Sequence, residues 1–159
     1  MVEWKYTESY SKGQTDDGRN KERFRRYKDI AIWKNGPLRI DCGLELVELF
    51  TEPIYQLLRL QMLAMQMEKD PKLGVDRVLV VLIAPRANLD LGRLKIPRLQ
   101  CFGGDVSSAW KALLHHSDRF ILHATEDLFR DSGPALQAAP NARELKGWHR
   151  YISDRYLLV

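Results

Sequence analysis

The chain has 159 residues and a mass of 18.5 kDa, 45% of them hydrophobic and 29% charged, which fits one globular domain with material for a real core and excludes a disordered tail or a mini-protein. Its longest apolar run, Val78 to Ala84, falls far short of the roughly 18 to 20 residues that cross a bilayer, and Val2-Glu3-Trp4-Lys5 after Met1 has none of the makings of a leader, so no membrane contact and a cytoplasmic location are expected. The net charge of +4 comes from residues 1 to 40, which hold ten Lys or Arg against six Asp or Glu, while the remainder hold fifteen of each.

Val2-Glu3-Trp4-Lys5-Tyr6 alternates apolar and charged residues, the pattern of a strand with its charges on one face. Residues 7 to 20 are rich in turn formers and predict a mobile connection. A basic helix is expected from Lys21 to Trp33. Arg19, Lys21, Arg23, Arg25, Arg26 and Lys28 crowd into ten residues there, with Phe24 and Tyr27 between them, a density suited to a polyanion; a solvated helix face is the alternative. Gly36-Pro37 stops this helix, and Leu38 to Leu49 has no clear period. Thr51 as cap and Pro53 in the first turn predict the longest helix, Glu52 to Lys69. Val78 to Ala84 reads as a strand buried on both faces. A helix over Val106 to His115, a strand over Arg119 to His123 and a helix over Arg143 to Leu157 complete the chain, the last following Pro134 and Pro140. With no internal repeat, the order β, α, α, β, α, β, α argues one mixed α/β domain over residues 1 to 159.

Several residues carry possible chemistry. On a strand, Glu3 and Lys5 point to one face, so a carboxylate and an ammonium stand side by side. Metal-dependent phosphodiester cleavage uses such a pair: the carboxylate helps hold a hard cation, and the lysine orients water or stabilises developing charge. A polar strand face in solvent would have the same pattern. Gln61 falls on the apolar stripe of the long helix with Ile54, Leu57, Leu58 and Met65, and a buried amide needs partners. Gln56, Arg59 and Gln66 gather with Tyr55 on another face, toward a phosphate backbone or toward water. His115, His116, His123 and His149 lack metal-ligand spacing and read as surface or packing residues. Cys42 and Cys101, 59 positions apart, predict free buried thiols, so zinc is not expected. Gly103-Gly104 lacks the Lys-Ser/Thr or third glycine of a phosphate loop, which disfavours nucleotide hydrolysis.

The strand Val2 to Glu8, the segment Leu44 to Gln61, the strand ending Ala84-Pro85-Arg86-Ala87-Asn88, and Trp110, Leu113-Leu114 and Asp118-Arg119-Phe120 together resemble a bacterial restriction-endonuclease-like family of the PD-(D/E)XK nuclease superfamily. The resemblance implies a restriction-endonuclease-like mixed sheet flanked by helices, acting on DNA with Mg²⁺ (or Mn²⁺). On that mapping Glu3 is a metal ligand, Lys5 the catalytic lysine, and Gln61 the glutamine that some members place beside the active site. Gln56, Arg59 and the basic helix would contact DNA. The superfamily's earlier aspartate strand has no counterpart before Glu3, so an N-terminally incomplete domain is expected, unless Asp41, Glu45 or Glu48 substitutes. Exposed sheet edges in such a fragment would favour a homodimer. The two functions compared below are a metal-dependent DNA endonuclease, with activity in this truncated form open, and a non-catalytic nucleic-acid-binding or assembly module on the same scaffold.

Overall fold

A computed structural model describes residues 2–4, 17–31, 36–39, 43–88 and 91–156. The elements in order are β1 (Val2–Trp4), α1 (Asp17–Ala31), α2 (Ile54–Lys69), β2 (Val80–Ala84), α3 (Val106–Leu113), β3 (Phe120–Ala124), α4 (Thr125–Ala138) and α5 (Ala142–Tyr156), with a 3-10 turn at Leu46–Phe50 leading into α2. No helix among the described residues is long and apolar enough to cross a membrane.

The α/β class read from the sequence is the one observed. Helices separate the strands, so successive strands run parallel. β2 is central: Val2, Glu3 and Trp4 lie opposite Val81, Leu82 and Ile83, and Val80 to Ala84 lie opposite Phe120 to Ala124. Among the described strands every pairing is parallel, and the isolated bridge Leu38 to Leu114 supplies an antiparallel contact outside them. Val80, Leu82, Ala84 and Phe120 form one row of the sheet and belong to the core, against Leu57 and Leu58 of α2 and Trp110 and Leu113 of α3.

The long helix starts at Ile54, not at Glu52, and Thr51 does not cap it. Pro53 holds the N-cap position with no side-chain bond, and Thr51 closes the preceding 3-10 turn in extended conformation. α3 has a stronger start. The Asp105 carboxylate accepts from Ser108 N–H at 2.9 Å, the Ser108 hydroxyl oxygen accepts from Asp105 N–H at 3.3 Å, and eight residues suffice to seat Trp110 at 0% exposure. Residues 36–39 lie along the end of this helix, where Arg39 N–H donates to Leu113 O at 2.9 Å and His115 N–H to Pro37 O at 3.0 Å.

β3 runs into α4 without a loop, and α4 packs on α5 through Phe129, which stacks on Trp148 at 6.5 Å and accepts at its carbonyl from the His149 ring at 3.0 Å. The sequence reading has no α4. Pro134 sits inside it on an exposed face, and Gly133-Pro134 reads locally as a break. Glu126 and Asp127 in the first turn favour a helix N-terminus there.

Candidate functional site

Glu3 is placed by its backbone alone, in the middle of β1 and opposite the core residue Leu82. Lys5 and Asp41 lie outside the described residues. Of the substitute acids, Glu45 is exposed, whereas Glu48 is committed elsewhere: its carboxylate accepts from Glu45 N–H at 2.8 Å and from Arg98 at 3.0 Å. Among the described residues no group of three or more His, Cys, Asp or Glu is placed to hold a metal ion. They do not, by themselves, fit the Mg²⁺ site that the resemblance implies.

The basic helix α1 is fixed to the body by an aromatic cluster. Tyr27, its one buried hydrophobic residue among those described, meets Phe50 at 6.4 Å and Tyr55 at 6.2 Å, and Phe50 meets Tyr55 edge-on at 5.7 Å. Arg23 reinforces this contact. Its guanidinium lies 4.0 Å over the Tyr55 ring and donates to Phe50 O at 3.1 Å, so part of its bonding capacity serves packing. Burial pushes the Tyr55 phenol up, Tyr27 adds to the rise, and Arg23 and Arg59 oppose it. Arg19, Lys21, Arg25, Arg26 and Lys28 are exposed, with Arg25 and Arg26 both paired to Glu22, whose carboxyl is held below the usual range chiefly by Arg25.

The polar stripe of α2 opens onto this helix. Gln56, Arg59 and Gln66 line one groove of about 390 Å³ together with Tyr27, Leu60, Met62 and Leu63. The structure therefore brings Gln56 and Arg59 beside α1, a continuous polar and cationic surface.

Gln61 faces elsewhere. It is 4% exposed, its Oε1 has no hydrogen-bond partner, and it lines a cavity of about 480 Å³ with Met65, Glu68, Lys69, Leu114, His115, His116 and Arg119. No residue of β1 lines this cavity. Glu68 is fully engaged, one oxygen accepting from Val78 N–H at 2.7 Å and the other pairing with Arg119. Glu68, Arg119 and the two histidines carry no local sequence signal for such a site, since the ion pair spans 51 positions. The one clue is Gln61 itself, an amide on an apolar stripe.

A third cavity, about 400 Å³, lies at the carboxyl ends of β2 and β3, lined by Arg86, Asn88, His123 and Asp127 among others. Arg86 and Arg130 both bind Asp127, and Arg86 foremost holds that carboxyl below the usual range. Glu126 accepts from Arg86 N–H at 3.0 Å. His115 and His116 are exposed, and His149 is a packing residue. Cys101 is a free thiol but exposed, contrary to the burial expected from composition, because it ends a surface 3-10 turn and points to Arg98 O. Cys42 lies outside the described residues.

Neither the curated proteins nor the solved structures hold a match to the chain. A family model does match, over residues 1–157, nearly the whole length and including both Glu3 and the cavity of Gln61. The chain thus belongs to the family described as restriction endonuclease associating with ARP.

Proposed function

We propose that this chain is the DNA-directed part of a restriction endonuclease and that it hydrolyses phosphodiester bonds through Glu3 and Lys5. The family match, which spans both residues, carries the reading. In this function α1 and the neighbouring groove grip the phosphate backbone, with Lys21, Arg25, Arg26, Lys28 and Arg59 as cations and Gln56 as a polar contact, with salt-dependent affinity. Lys5 stabilises the charge that develops on the phosphate. Mg²⁺ or Mn²⁺ is the cofactor this chemistry calls for, and Glu3 would hold it together with acids beyond the described residues, Asp41 being one. Cutting both strands would call for two copies, so a homodimer on DNA is the assembly proposed, acting in the cytoplasm.

A second reading is a non-catalytic DNA-binding or assembly module, favoured by the absence of a three-ligand acidic cluster among the described residues. Nicking of supercoiled plasmid with Mg²⁺, with Mn²⁺ and with chelator, beside Lys5→Ala, separates the two. Metal-dependent nicking that Lys5→Ala abolishes, with DNA binding retained, is the result expected of the nuclease. Equal nicking by the mutant removes the assigned role, and binding without cleavage favours the module.

A further inference from the structure

We propose that the cavity around Gln61 is a nucleotide-binding pocket, with a base edge against the Gln61 amide and the phosphate at a cationic rim. The floor provides the first argument. Gln61 is 4% exposed and makes no hydrogen bond to its Oε1, and a folded chain rarely leaves a buried polar atom unpaired unless something else pairs with it. A carboxamide offers an acceptor and two donors on one edge, the pairing that glutamine makes with a nucleobase. Space is available as well. The cavity, about 480 Å³, lies within the range of about 300 to 1,000 Å³ that small-molecule sites occupy, and Met65 and Leu114 supply apolar walls for a flat ring.

Charge at the rim gives the second argument. Lys69, His115 and His116 are exposed there. Glu68, the acid of the lining, is neutralised by Arg119 and bonded to Val78 N–H, so what remains toward an incoming ligand is cationic. An apolar or positively charged ligand would leave either the amide or the rim unmatched. A nucleotide matches both, whether free in solution or turned out of a DNA strand; only the second source rests on the DNA-directed reading above.

The test titrates each deoxynucleoside monophosphate into the ¹⁵N-labelled full chain and follows amide shifts, beside Gln61→Met and Lys69→Ala. A duplex with one unpaired base and a fully paired duplex form the second arm. Saturable shifts at residues 61–69 and 114–119 are expected, with Gln61→Met weakening binding by about tenfold, as loss of one amide–base pairing does, and Lys69→Ala weakening it with a shallower salt dependence. Saturation by a free monophosphate identifies a free nucleotide as the ligand; preference for the unpaired-base duplex, lost in Gln61→Met, identifies an extruded one. The proposal is overturned if neither moves the signals around Gln61, if the shifts lie only elsewhere, or if folded Gln61→Met binds as tightly as the parent. Because no step involves cleavage, failure of plasmid nicking leaves this outcome readable.

Discussion

Replacing Glu68 by alanine tests how the end of α2 is tied to the sheet. The Glu68 carboxylate holds two groups at once, Val78 N–H at 2.7 Å and the Arg119 guanidinium, with side chains only 14% and 28% exposed for the ion pair. Val78 is 6% exposed, so alanine would strand a shielded N–H, at about 1 to 3 kcal/mol. Loss of the charge-assisted bond to Arg119 adds about 1 kcal/mol once partial solvent screening is discounted. The expected total is about 2 to 4 kcal/mol, or a fall in Tm of about 4 to 15 °C for a chain of this size. Glu68→Gln keeps an acceptor for Val78 and loses the ionic component, so about 1 kcal/mol is expected. Urea unfolding followed by tryptophan fluorescence reads both, since Trp110 is fully buried. A Glu68→Ala loss under about 1 kcal/mol, or equal losses for the two variants, would refute the assignment of the larger share to Val78.

Asp105→Ala removes the α3 cap and should cost about 1 kcal/mol. The Ser108 N–H holds the Asp105 carboxyl below its ordinary value, with burial opposing. A depressed folded-state pKa contributes stability above the unfolded value of about 4 and loses it as pH falls through the folded one. The gap between parent and mutant should therefore narrow from neutral pH to about pH 3, and a gap that widens there rules this out. Tyr27→Ala should cost about 2 to 3 kcal/mol and speed amide hydrogen exchange selectively in α1. Unchanged exchange would mean that the aromatic cluster does not hold the helix.

Elements with strong periodicity were legible from residues alone. The β2 strand was expected from Val78 and is observed over Val80–Ala84, and α5 was expected from Arg143 to Leu157 and is observed over Ala142–Tyr156. Local chemistry misled where tertiary context decides. Thr51 looks like a cap, yet the chain spends it on ending the 3-10 turn; Gly133-Pro134 looks like a break, yet it lies within α4. At the site, the wheel placed Gln61 on the buried stripe and Gln56, Arg59 and Gln66 together on another, and both placements are observed. What surrounds Gln61 was not legible. Glu68, His115, His116 and Arg119 meet there only because α2 and the α3 to β3 connection pack side by side, and nothing in their spacing encodes that meeting.

The clamping of α1 by Tyr27 and Arg23 has a consequence for association with a polyanion. A basic segment that folds on contact loses conformational freedom at that moment, and part of its electrostatic gain goes to ordering the chain. Here the helix is already seated on Phe50 and Tyr55, so its arginines and lysines present a fixed spacing before any encounter. Binding through this face should behave as rigid-body docking, fast and strongly salt-dependent, with a heat-capacity change set by the contact area and not by helix formation.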